Sequence, residues 1–125
     1  DLMPEQKDVK EKGATMRLGA HKIIIKKNTL AHKLYSAEEI LERHRHRFEV
    51  NQEYLEPLEK HGLVFSGKSP DGKRMEILEL PSNFFFFASQ FHGEFKSRPG
   101  KPDPEYYGFV KACLDKKLGE VNPEF

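Results

Sequence analysis

Phe84-Phe85-Phe86-Phe87-Ala88-Ser89-Gln90-Phe91-His92-Gly93-Glu94-Phe95 is the stretch from which the rest of the chain can be read. A continuous apolar run followed by alternating polar and aromatic residues predicts a buried strand emerging at a sheet edge, with side chains two apart sharing a face. The phenylalanines 84 to 87 are therefore expected in the core, and His92 and Glu94 on one side of the strand end. A carboxylate beside an imidazole fixes its tautomer and stabilises the imidazolium, as a general base serving a nucleophile requires. Taken alone, a His-x-Glu triplet reads more readily as a surface pair of no catalytic meaning.

Arg43-His44-Arg45-His46-Arg47-Phe48-Glu49-Val50 is the second informative stretch. Its alternation suits a strand with Arg43, Arg45 and Arg47 on one face and His44 and His46 on the other. Guanidinium groups so grouped make a local anion site, each able to grip a carboxylate or phosphate with two hydrogen bonds. Nucleic acid is disfavoured, because no aromatic interleaving or basic stripe accompanies them and the net charge is only +1. A solvated edge strand is the plain alternative. As metal ligands His44 and His46 would need a third partner, and no Cys or Asp is well placed in sequence, so no metal is expected.

Around these stretches the chain reads as alternating strands and short helices. Residues 1–14 mix charge with Pro4 and Gly13 and predict a loop. Thr15 to Lys26 predicts a strand with a bulge or close approach at Gly19. Asn28 is expected to cap a short helix, and Ser36-Ala37-Glu38-Glu39 reads as a capping box for another turn. Asn51 should cap a helix over Gln52 to His61 that Pro57 shortens and Gly62 stops. Leu63 to Ser66 and Arg74 to Leu80 form a hairpin through Gly67 to Gly72, with Glu76 and Glu79 on a wetter face. Asp103 caps a last helix with Pro104 at its first position and Tyr107, Val110, Cys113 or Leu114, and Leu118 along one side.

At 125 residues one core is the expectation, and a 33% charged content implies a very polar surface or a missing partner surface. No apolar run reaches membrane-spanning length and no leader pattern is evident, so the chain is expected to be soluble, cytoplasmic and without membrane contact. Cys113 is the single cysteine, has no intrachain partner, and reads as a small buried hydrophobe. The opening residues Asp1 to Gln6 read as the middle of something longer.

Gln90 to Phe95 resembles the Gln-Phe-His-Pro-Glu-Phe motif that ends the triad of class I glutamine amidotransferases, with Gly93 in the place of the proline. Three stretches are similar in order and spacing to the amidotransferase domain of the CTP synthase family: Gly13-Ala14-Thr15-Met16-Arg17-Leu18-Gly19, Glu42 to Asn51, and Gln90 to Phe95 with Arg98-Pro99. The resemblance implies an α/β fold, a three-layer class I amidotransferase-like architecture with a flavodoxin-like mixed sheet and flanking helices, present as its carboxy-terminal portion. It divides the chain into a connecting loop over 1–12, the amidotransferase part over 13–118 and a tail over 119–125.

What the family does is implied in the same way. His92 would be the base and Glu94 its orienter, Arg47 would bind the α-carboxylate of glutamine, and the main chain at Phe48 would hold its α-amino group. Arg17 would belong to the region through which GTP activates hydrolysis. The parent enzyme would be a CTP synthase, a homotetrameric glutamine-hydrolysing ligase that passes ammonia to a synthetase domain, where ATP with Mg2+ drives amination of UTP to CTP. This chain would carry no cofactor and would rely on the missing amino-terminal parts of the same enzyme. The family's Gly-x-Cys-x-Gly nucleophile turn is not in this sequence, so the chain alone is expected to be inactive. A non-catalytic module that binds a partner or nucleotide is the alternative.

Overall fold

The computed structural model describes residues 2, 16–119, 123 and 125. The expected loop over 1–12 therefore lies outside the described residues apart from Leu2, as do Gly13 to Thr15 and most of the tail. Five strands, β1 (Arg17–Ile25), β2 (Glu39–His46), β3 (Val64–Lys68), β4 (Met75–Glu79) and β5 (Phe87–Ser89), form one sheet in the order β2-β1-β3-β4-β5. Three helices flank it: α1 (Leu30–Tyr35), α2 (Leu55–Lys60) and α3 (Pro104–Lys117). Every strand pair is antiparallel, so the parallel strands of a mixed sheet are not among these five.

The sheet curls. β1 and β2 pair from Arg17↔His46 to Ile24↔Glu39, whereas β1 meets β3 only at Ile24↔Lys68 and Ile25↔Gly67. Past β5, Gln90 N donates to Glu76 O at 2.9 Å and His92 N to Arg43 O at 2.9 Å, which brings the chain after β5 back to β2. Inside the curl Ile23, Ile25, Ala31, Ile77 and Phe91 form the core, with Tyr35, Ile40 and Phe87 packed against it. Gly19 has φ +93°, yet the β1–β2 register runs through it unbroken, so it supplies a left-handed conformation and not the expected bulge.

Several sequence expectations are corrected. β5 is a strand only over Phe87–Ser89, and Phe84 to Phe86 precede it, half-buried or exposed, lining a cavity of about 760 Å³ with Lys26, Leu30 and Val64. Thr29, not Asn28, caps α1 through its hydroxyl and the His32 N–H, while Asn28 takes φ 61°. The chain has no helical turn after Ser36, because β2 starts at Glu39 and pairs with β1. Glu76 and Glu79 do not face water: both are buried, and Glu79 accepts from the Leu30 and Ala31 N–H groups at 2.9 and 2.7 Å. Along α3 it is Gly108 and Ala112 that are buried, whereas Tyr107, Val110, Cys113, Leu114 and Leu118 are exposed.

Other local readings hold. Asn51 caps a 3-10 turn at Gln52–Tyr54 that leads into α2, and Pro57 falls in the first turn of that helix, where its missing donor costs nothing. Asp103 caps α3 ahead of Pro104.

Candidate glutaminase site

His92 and Glu94 meet, but not by strand alternation. β5 ends at Ser89 and Gly93–Phe95 forms a 3-10 turn. Within it Phe95 N donates to His92 O and Lys96 N to Gly93 O, and the turn folds Glu94 back onto the imidazole. His92 Nδ1 lies 2.7 Å from Glu94 Oε1. A carboxylate there accepts from an Nδ1–H, which leaves Nε2 bare as a base. That hydrogen bond holds the Glu94 carboxyl below its ordinary pKa. Tyr106 on α3 donates its hydroxyl to Glu94 Oε2 at 3.2 Å, a contact twelve residues away that no sequence pattern marks.

Gly93 makes the turn's close packing possible. A Cβ there would stand 2.5 Å from Glu105 Oε1 and 2.9 Å from Asp103 Cγ. Asp103 is fixed in turn by the Tyr35 hydroxyl, which donates to its Oδ1 at 3.1 Å, and by its capping bond to the Glu105 N–H. Burial raises the pKa of both carboxyls.

β2 leads to the other expected residues. Arg43 and Arg45 project outward, exposed, and His44 inward, buried, as alternation predicts. Arg47 lies past the end of the strand, so it is not the third rung of the ladder. It is partly buried, and its Nε is shielded from solvent with no hydrogen-bond partner among the described residues. Phe48 follows, its ring exposed and its backbone bridged to Leu2. His92 is anchored to this strand by its N–H bond to Arg43 O, and Lys96 adds bonds to Leu41 O at 2.9 Å and Glu42 Oε1 at 2.6 Å.

Arg17 turns inward and places Nη1 2.6 Å from Glu76 Oε1. Its side chain is only 7% exposed, so it is part of the interior and not a free surface cation. Glu76 also corrects the reading of the histidines, because its carboxylate and the ring nitrogens of His44 and His46 lie within 4.8 Å of one another. A third group thus stands near them. Arg17 already meets that carboxylate's charge, and the two rings turn their facing nitrogens on each other at 2.9 Å, an arrangement built for hydrogen bonding among themselves. Burial, with Arg17 nearby, pushes the pKa of His44 down to about 3.

Comparison with known proteins fits this geometry. The glutamine amidotransferase class-I family model matches residues 3–112. The chain is 60% identical over 120 residues to a CTP synthase of Archaeoglobus fulgidus, covering 96% of this chain and 23% of that protein. It is 57% identical over 118 residues to the CTP synthase of Methanocaldococcus jannaschii, covering 94% and 22%. The solved glutaminase domain of Trypanosoma brucei CTPS, with bound acivicin, superposes with a TM-score of 0.80 at 41% identity, over 89% of this chain and 44% of that one. The chain thus spans less than a quarter of the length of these two CTP synthases. With its fold, its His92–Glu94 pair and these likenesses in agreement, the chain belongs to the class I glutamine amidotransferase family.

Proposed function

We propose that this chain is the carboxy-terminal part of the glutamine-hydrolysing domain of a cytoplasmic CTP synthase, with residues 13–118 as the amidotransferase part. The observation that carries the reading is the His92–Glu94 hydrogen bond at 2.7 Å, held against β2 by the His92 N–H bond to Arg43 O.

In this reading Arg47 grips the α-carboxylate of glutamine and the Phe48 main chain its α-amino group, which aims the side-chain amide toward His92. His92 Nε2 takes the proton of a cysteine thiol supplied by the rest of the enzyme, and the thiolate attacks the amide carbon. The imidazolium, stabilised by Glu94, returns that proton to the departing nitrogen, which leaves as ammonia. A water then gives its proton to His92 and its oxygen to the acyl carbon, releasing glutamate and restoring the thiol. Ammonia passes to the synthetase part, where ATP with Mg2+ drives amination of UTP, and GTP acts as activator through the region of Arg17. The parent assembles as a homotetramer, as the CTP synthase resemblance implies. A non-catalytic module is not favoured, because such a module has no need of an assembled His–Glu–Tyr arrangement.

The test is the parent enzyme with His92→Ala. Glutamine-dependent CTP formation should fall by several orders of magnitude while ammonia-dependent formation continues. Equal loss of both would overturn the assignment.

A further inference from the structure

A chain of hydrogen bonds, partly buried at Arg17 and exposed at its far end, runs from Arg17 to the Phe48 carbonyl, and its proton positions follow from the partners. His46 Nδ1 lies 2.9 Å from Phe48 O. A carbonyl oxygen only accepts, so Nδ1 carries the hydrogen, and the Nε2 of a neutral His46 is a bare lone pair. That lone pair faces His44 Nδ1 at 2.9 Å and Arg17 Nη1 at 3.4 Å. Both must therefore donate to it. Protonating His46 would set its Nε2–H against two donors, and burial with Arg17 nearby keeps its pKa lowered. Arg17 is held in turn by Glu76.

The strand pairing sets these groups side by side. Arg17 and His46 are the last cross-strand pair of β1 and β2, side by side on the inner face. Beyond that pair the ladder has ended. Phe48 lies outside that ladder, its backbone bridged, among the described residues, only to Leu2, and the His46 N–H adds a bond to the carbonyl itself. A carbonyl has two lone pairs, so one bond from His46 leaves the other for a ligand's ammonium group.

We infer that His46 is a positioning residue of the glutamine subsite: it aims the Phe48 carbonyl at the α-amino group through Nδ1–H, and through Nε2 it ties that carbonyl to Arg17. The inference rests on the proposed role of the Phe48 main chain in glutamine binding. It adds that the state of Arg17 is felt in glutamine affinity, because both use one imidazole.

The parent enzyme tests it through the glutamine KM and kcat of two variants. His46→Leu removes both ring nitrogens and should raise the glutamine KM about fivefold to tenfold, with kcat at saturating glutamine within about twofold of wild type. His46→Asn keeps an amide N–H where Nδ1 stood and should return KM to within about twofold of wild type. Arg17→Ala, or Arg17→Lys if the alanine variant does not fold, should raise KM in the wild-type background and leave it unchanged in His46→Asn, where the second link is gone. An unchanged KM in His46→Leu, equal effects of Leu and Asn, or a fall in kcat alone would overturn the positioning role. An equal effect of the Arg17 change in both backgrounds would overturn the coupling. A wild-type parent that releases no ammonia from glutamine would instead overturn the proposed function itself.

Discussion

At the scale of single residues, the site depends on groups whose charge or space is set by burial. Arg47, partly buried just past β2, is the residue proposed to grip the α-carboxylate, so Arg47→Ala in the parent enzyme should weaken glutamine binding. A charged hydrogen bond is worth about 1.5–3 kcal/mol, so the glutamine KM should rise roughly tenfold or more while ammonia-dependent turnover continues. Equal loss of both activities would make Arg47 a structural residue. His44 offers a test by pH. Its folded pKa of about 3 lies below the ordinary 6.5, so below pH 6.5 the unfolded chain takes up a proton that the folded chain refuses. The contribution is intact above that pH and is lost progressively toward pH 3, amounting to roughly a few kcal/mol. Asp103 and Glu105, with raised values, act in the opposite sense and gain as pH falls. The histidine's part is isolated by comparison with His44→Asn, which keeps a donor toward His46. Between pH 7 and 5 the urea midpoint should fall less in that variant than in wild type, and equal slopes would refute a neutral buried His44. Gly93→Ala should cost about 1–3 kcal/mol by crowding Asp103 and Glu105, and Asp103→Ser, a shorter cap, should recover part of it in urea unfolding.

At the scale of elements, α1 shows how a short helix is held by a distant strand. Six residues are too few to be stable alone, and the helix is fixed by the Glu79 carboxylate, which accepts from both the Leu30 and Ala31 N–H groups. Glu79→Gln leaves one acceptor and sets an amide donor against the second N–H. It should lower stability by about 1.5–3 kcal/mol in urea unfolding, and a loss under about 0.5 kcal/mol would mean that α1 is held by packing alone. That contact also marks where sequence reading stops. Asn51 and Asp103 were legible as caps because their partners lie within two residues, and the His44/Arg45 alternation was legible because a strand has period two. Glu76 and Glu79 looked like a wet face because their partners, Arg17 and α1, lie 59 and about 48 positions away. Phe84 to Phe86 looked like a buried strand because composition cannot report that only Phe87–Ser89 finds a neighbour in β4. His92 and Glu94 pair as expected but by another geometry: a 3-10 turn, and not a strand face, brings them together. Tyr106 was not legible at all.

At the scale of the whole molecule, the surface matches a chain that is part of a larger domain. Tyr107, Val110, Leu114 and Leu118 lie exposed along α3, and Leu18, Ile24 and Leu41 on the outer face of β1 and β2. On the proposed reading these faces meet the rest of the glutaminase domain, of whose solved Trypanosoma brucei relative the chain covers 44%. On the same reading the base, its orienter and the carboxylate anchor would be in this chain, while the one cysteine, Cys113, sits exposed on α3 outside any Gly-x-Cys-x-Gly turn. A base without its nucleophile activates nothing. The decisive measurement is therefore ammonia release from glutamine by the 125-residue chain alone, by the chain joined to the remainder of a CTP synthase, and by that assembly with His92→Ala. The account predicts background release from the chain alone, release well above it from the assembly, and background again with His92→Ala. Ammonia release by the chain alone, or undiminished release by the His92→Ala assembly, would contradict it.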